Sequence, residues 1–349
     1  MITIFLFIIF FGLLVLIHEF GHFYAAKKSG IKVEEFGIGF PPRIFKWRRK
    51  ETLYSVGLIP FGGFVKLEGE LSEDKGFRQA PPFKKFIVAF AGIFLNIVLS
   101  YVIFSLALLT IGLPSLTSSN IRVIKILPNT LGDKYFKPGD IISKAIVDNK
   151  SVYFDSAVSF IRFIKTHLGQ SVIFEIFRNN QKLDINITLP NIFDSNKGAL
   201  GIMISNYSIT KTSFPKNFLI SFKYIATTIN NIFFTINLLL AKILGTGSSS
   251  VNIQIVGPIG IYSLFSNLLK IDFTLALHFL GEISIYLAIL NLLPFPGLDG
   301  FHLVLALLEK IRGKRLNIKT EEKILIGGMA LLFLLLIVVT FNDITKLLK

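Results

Sequence analysis

Residues 1–17 contain no charged side chain. An apolar run of this length reads as a helix that crosses a bilayer, because roughly 20 residues at about 1.5 Å rise each span the hydrocarbon layer. Three further apolar stretches occupy residues 86–113, 273–300 and 324–342, the second of them interrupted by Glu282 and closed by Asp299. A water-soluble fold is excluded on composition, since 52% of residues are hydrophobic and only 17% are charged. The formal charge of +15 would point to nucleic acid in a soluble chain. Here the Lys and Arg residues gather in residues 27–85 and 301–323, short segments beside apolar runs. That is the mark of cytoplasmic loops, and no nucleic-acid partner is expected. A cleaved signal peptide fits poorly, because the basic residues follow the first apolar run rather than precede it. With no cysteine in the chain, disulfides and thiolate metal sites are excluded.

The expected fold class is a polytopic α-helical membrane protein with four transmembrane helices and an inserted β-rich domain. The expected order is a span at 1–26, a loop with a membrane-associated hairpin at 27–85, and a span at 86–113. A small domain follows at 114–200, an amphipathic linker at 201–272, a span at 273–300, a basic linker at 301–323 and a span at 324–342. In the small domain "IRVIKIL", "DIISKAIV", "VIFEIFR" and "LDINITL" show the short apolar or alternating pattern of strands. "YFDSAVSFIRFIKTHLG" has helical spacing and a closing glycine. In residues 216–244 a polar stripe formed by Asn217, Ser221, Tyr224, Thr228, Asn231 and Thr235 predicts an interfacial helix rather than a fifth span. Four spans also leave His18 and Asp299 on one side of the membrane, whereas five would separate them.

Within the first apolar run lies "HEFGH", an H-E-x-x-H match. On a helix His18 and His22 project from one face, where both imidazoles reach one ion, and Glu19 lies beside them to work on a metal-associated water. Ionisable groups at membrane depth cost a few kcal/mol each, so the cluster needs a compensating role. A catalytic zinc needs a third protein ligand and an open position. Asp299 and His302 are the candidates. Asp299 follows "NLLPFPGL", where Pro294 and Pro296 break the helix and Gly297 loosens the chain. Asp299 also suits the N-cap of the next helix. His278 and Glu282, four residues apart in the third span, read as a mutually paired polar couple, with a second metal site as the alternative.

Together these segments resemble the site-2 protease family of intramembrane zinc metalloproteases, its bacterial sigma-regulating branch in particular. The resemblance rests on "HEFGHF", "FGIGFPPRIF", "PFGGFVKLEGE", "AGIFLNIVLS", "VGPIGIY", "NLLPFPGLDG" and "GGMALLFLLLIVVTFNDI". It extends to the small domain, whose Gly139-Asp140 turn resembles that of a bacterial-type PDZ domain, a fold that captures chain ends at a sheet edge. The resemblance implies that His18, His22 and Asp299 bind Zn²⁺ and that Glu19 is the catalytic base and acid. It implies that Asn291, Pro294 and Pro296 hold substrate, and that Gly62 and Gly63 lie in a hairpin that pairs with substrate as an edge strand. Substrates would be single-span membrane proteins such as anti-sigma factors or leftover signal peptides. The expected location is the bacterial inner membrane, with the active site toward the cytoplasm and the PDZ-like domain periplasmic. Two departures stand out: Phe301 occupies a place where the family often has glycine, and "AGIFLN" lacks a proline common after Ala-Gly. The rival readings are a catalytically inactive membrane adaptor that binds exported peptides, and a metal transporter. The clustering of ionisable residues at one depth argues against the transporter.

Overall fold

The computed structural model describes residues 2–70, 76–115, 121–154, 156–178, 181–192, 198–205, 208–244 and 256–347. It divides into two compact units, one built from residues 1–106 and 214–349 and the other from residues 107–213.

The larger unit begins with α1 (Ile2–Lys28), which carries Lys27 and Lys28 in its last turn, the end that favours cations. Gly30 closes the helix at φ +75°, and Ile31 N–H donates to Ala26 O at 2.9 Å. A two-stranded antiparallel hairpin follows, β1 (Val33–Arg49) and β2 (Thr52–Leu67). Its pairing shifts register repeatedly on the way to the tip, which frees neighbouring residues from strict alternation. After a short 3₁₀ turn (Gly76–Gln79), α2 (Pro82–Thr110) starts on a proline, where a missing N–H costs nothing.

The smaller unit runs β3 (Leu113–Ser115), β4 (Ile121–Ile126), α3 (Leu131–Tyr135), β5 (Ile141–Val147) and β6 (Lys150–Tyr153). It continues with α4 (Ala157–Thr166), β7 (Ser171–Arg178), β8 (Gln181–Thr188), β9 (Ile202–Ser205) and β10 (Ser208–Thr210). Its main sheet has the order β8-β7-β5-β4-β9, with β6 paired to β5, while β3 pairs with β10. Alternating strand residues such as Ile142, Val172, Phe174 and Ile176 meet Phe160 and Phe163 of α4 in one apolar core. The Gly139-Asp140 turn is built around a fully buried carboxylate. Asp140 accepts from Arg178 Nε at 2.8 Å, Arg178 Nη2 at 2.7 Å and the Lys137 N–H at 2.7 Å. The expected end of this domain at residue 200 is too early, because β9 pairs with β4 and β10 with β3. Residues 201–272 are therefore not a single linker, and their second half returns to the larger unit.

There the chain forms α5 (Lys216–Ile243), α6 (Pro258–Ile271), α7 (Phe273–Leu292), α8 (Asp299–Arg312) and α9 (Ile318–Leu347). Among the described residues four helices, α1, α2, α7 and α9, are long and apolar enough to cross a membrane. The polar stripe of α5 faces inward over its first three turns, and its last members, Asn231 and Thr235, are exposed. Asn217, Ser221 and Thr228 are buried, whereas Phe218, Leu219, Phe222, Phe233 and Phe234 are exposed. Ser105 Oγ of α2 donates to Ser221 Oγ at 3.0 Å, so this part of the stripe meets a protein hydroxyl. The expected span at 273–300 ends early, at Leu292, because Pro294 cannot donate to the helix ladder. α6 was not anticipated. Its first N–H groups are met from α9, where Asp343 accepts from Gly260 N–H at 2.8 Å and Gly257 N–H at 3.2 Å.

Candidate metal centre

Two helices carry the centre and a broken third chain segment completes it. On α1, His18 and His22 lie one turn apart and are both buried. His22 Nδ1 sits 2.8 Å from the Val88 carbonyl of α2, a contact only an N–H can make. The proton is thereby placed on Nδ1, leaving the Nε2 lone pair free. Close helix approach makes this possible. A Cβ on Gly21 would lie 2.5 Å from Ala91 O, and one on Gly92 would lie 2.3 Å from His22 Nε2.

Asp299 reaches the same point through the chain break after α7. Gly297 adopts φ +100°, which returns the backbone toward the helix end. Gly300 then packs against that end, where an added Cβ would lie 2.3 Å from the carbonyl oxygens of Leu292 and Leu293. Pro296 is seated against Gly328 of α9 in the same manner. Asp299 is the first residue of α8 rather than its N-cap, which is Leu298. Its carboxylate is directed at the histidines instead of back to its own helix.

The three donor atoms form a nearly equilateral triangle. His18 Nε2 and His22 Nε2 lie 3.0 and 3.2 Å from Asp299 Oδ2, and the two nitrogens are 3.2 Å apart. A tetrahedral ion about 2.0–2.1 Å from each ligand atom sets ligand atoms about 3.3 Å apart, so the triangle fits zinc. Asp299 Oδ2 is buried and, despite both nitrogens within 3.2 Å, no hydrogen bond of sound geometry reaches it. Three lone-pair donors converging on one point, the buried carboxylate oxygen among them without a hydrogen bond, are what a cation requires. Among the described residues this is the one group of three or more His, Asp or Glu side chains arranged to hold a metal.

The other expected site residues take distinct places. Glu19 and Asn291 line a cavity of about 220 Å³ with His18 and Asp299. Asn291 Nδ2 lies 3.3 Å from His18 Nε2. Gly63 of β2 passes over Glu19, where a Cβ would come 3.0 Å from its Cγ, and Gly62 adopts φ +91°. Pro294 and Pro296 line neither this cavity nor its neighbour; they shape the turn that delivers Asp299. His302 lies outside the donor triangle, edge-on to Phe77. His278 Nδ1 is 3.8 Å from Glu282, and its ring stacks on Phe104 and meets the edge of Tyr224; among the described residues no third ligating group joins the pair.

A second cavity of about 510 Å³ shares Asp299 with the first and is lined by His302, Glu70 and several ion pairs. Lys85 Nζ lies 2.5 Å from Glu309 Oε2, Arg315 Nε donates to Glu309 Oε1 at 2.8 Å, and Arg78 pairs with Glu321. Burial works to raise the Glu309 carboxyl, but the hydrogen bonds from Lys85 and Arg315 outweigh it and hold the group below its ordinary range. Glu70 goes the other way, since its burial exceeds the pull of His302 and raises it. Reasoning on sequence did not assign a role to Val88 or Glu70. The signal for Val88 is its place one turn before Gly92 in "VAFAGIFLN".

The model of Peptidase family M50 matches residues 6–335. A Clostridium perfringens chain named for zinc metalloprotease function is 30% identical over 338 residues, 96% of each chain. The Regulator of sigma-W protease RasP of Bacillus subtilis is 27% identical, with 99% of each chain covered. The chloroplastic membrane metalloprotease ARASP of Arabidopsis thaliana is 28% identical over 96% of this chain and 77% of its own. Among solved structures, the PDZ domain of an SdrC-like protein from Listeria innocua aligns with 24% of this chain and 90% of its own, at 26% identity and TM-score 0.20.

Proposed function

This chain belongs to peptidase family M50, and from that premise we propose that it cleaves transmembrane segments of single-span membrane proteins. It is a zinc metalloprotease of the membrane, with His18, His22 and Asp299 as the proposed ligands. The observation that carries the reading is the donor triangle of 3.0–3.2 Å on one side of Glu19, set among apolar helices. Zinc, when bound there, acidifies a water and polarises the scissile carbonyl. Glu19 takes the proton from the attacking water and later delivers it to the leaving amine. Its position supports both steps, because it lines the small cavity and the hairpin closes over its stem at Gly63.

A transmembrane helix hides its carbonyls in its own hydrogen bonds, so the substrate must unwind before attack. The hairpin supports this with a strand edge beside Glu19, to which an unwound segment adds by backbone hydrogen bonds. Asn291 directs its amide into the same cavity and orients the substrate backbone there. Exposed Arg43, Lys46, Arg48, Arg49 and Lys50 on the hairpin support a position for this end of α1 at the cytoplasmic face of the inner membrane. The smaller unit then lies outside, as a PDZ-like domain that admits substrates already trimmed by another protease. Anti-sigma factors and leftover signal peptides are substrates of the required form.

Glu19→Gln tests the mechanism. Zinc content stays at one per chain, and cleavage of a model single-span substrate in detergent falls by at least about 1,000-fold, the upper part of the range for general acid–base catalysis. Undiminished cleavage with zinc retained refutes the role of Glu19.

A further inference from the structure

Val88, Gly92 and Asn96 recur every fourth residue on α2 and therefore share one face. Two of them serve His22, through the Val88 carbonyl at 2.8 Å and the absence of a side chain at Gly92. The third meets His18, whose Nδ1 lies 3.4 Å from Asn96 Nδ2. Asn96 is fully buried, and its Oδ1 has no hydrogen-bond partner. A half-turn of the terminal amide exchanges its nitrogen and oxygen without changing the shape of the group.

The two orientations dictate opposite chemistry at His18. With Nδ2 toward the ring, the amide donates and Nδ1 accepts, so the ring proton sits on Nε2. That proton would point into a space that His22 Nε2 and Asp299 Oδ2 also face, and His18 could not ligate. With Oδ1 toward the ring, Nδ1–H donates and the Nε2 lone pair joins the other two donors. We propose that Asn96 is a positioning residue that fixes His18 as a ligand, its side-chain carbonyl accepting from His18 Nδ1–H. It does for His18 what the Val88 carbonyl does for His22. One face of α2 thus sets both imidazole tautomers and leaves room between them. The inference rests on His18, His22 and Asp299 being the ligand set.

The test is zinc affinity of the full chain in detergent, by competition with a chelator, for Asn96→Ala, Asn96→Asp, His18→Ala and Ser284→Ala. Removing a ligand's hydrogen-bond partner costs about 10- to 100-fold in metal affinity, and N96A should fall in that range. N96D keeps an acceptor at the ring and should bind within threefold of the natural chain or more tightly. Ser284 Oγ donates to the Asn96 main-chain carbonyl at 2.8 Å, so S284A disturbs the same helix contact without touching the ring, and its affinity should not change. Thermal unfolding of the zinc-free chains reports any general loss of packing. The inference is overturned if N96A binds zinc within threefold of the natural chain while H18A loses it, or if N96D loses as much as N96A. Should N96A fail to fold, N96D decides alone: affinity within threefold supports the inference and a tenfold loss overturns it. Tight zinc binding by H18A is a different failure, because it removes the ligand set itself.

Discussion

Gly92→Ala is the most demanding single perturbation of this centre. The added Cβ would lie 2.3 Å from His22 Nε2, 2.7 Å from His22 Cε1 and 2.9 Å from His18 Cε1. Ordinary contact between such atoms is about 3.5 Å, so the His22 ring must retreat by roughly 1 Å. The helices cannot separate to make that space cheaply, because α1 is already seated on α2 through Gly21. Nor can His22 swing away freely, since its Nδ1 is held by Val88 O at 2.8 Å. A ligand displaced by about 1 Å lies well outside the tolerance of about 0.2 Å for zinc coordination. Losing one of three protein ligands should lower zinc affinity by at least about 100-fold, more than the loss of an outer partner. The assay is metal content by mass spectrometry after dialysis against chelator, paired with cleavage of a model span. Gly327→Ala in α9 is the control, because a Cβ there meets nothing within 4 Å. It should keep full zinc and activity, and helix propensity gives it about 0.5–1 kcal/mol of added stability. Full zinc occupancy and near-natural cleavage in G92A would refute the claim that α2 shapes the ligand geometry.

Two further outcomes follow from the same structure. Asp299→Ala should lose zinc, whereas His302→Ala should retain it, because His302 lies outside the donor triangle beside Phe77; metal content measured side by side decides. Asp140→Ala should destabilise the smaller unit by about 3 kcal/mol, the low end for breaking a buried pair, since the Arg178 side chain keeps 24% exposure. Hydrogen exchange of β5 and β7 in the full chain reads that loss.

What was legible in the sequence was local. Long apolar runs mark spans because charge is costly at membrane depth, and H-E-x-x-H needs only the helical repeat to put His18 and His22 together. The chain break before Asp299 was legible too, because proline and glycine act on their own neighbours. Elements that depend on distant partners were hidden. β9 is a strand only because β4 lies beside it, and α6 starts where Asp343, over 80 residues away, accepts its first N–H groups. The hairpin was expected from the resemblance rather than from pattern, since its register shifts break the alternation a sequence would show.

The stripe on α5 shows where periodicity stops. Spacing established that Asn217, Ser221 and Thr228 share a face, but not the direction of that face. In water a polar stripe points outward by default. Around an apolar medium the preference reverses, because the exposed face has no hydrogen bonds to offer and buried hydroxyls do. Ser105 supplies those bonds from α2 and receives an approach from Asn217 as well, Nδ2 lying 3.4 Å from its carbonyl. The aromatic residues are left to face outward. The same reversal explains the metal centre. His18, His22, Asn96 and Asp299 are turned toward one another because the surroundings of the helices offer them nothing; the Val88 carbonyl holds His22, while Asn96 Oδ1 and Asp299 Oδ2 are buried without a hydrogen bond. With His18, His22 and Asp299 as the proposed ligands, the site is preorganised by helix packing, and the small residues at the crossing, Gly21 and Gly92, leave the room it needs.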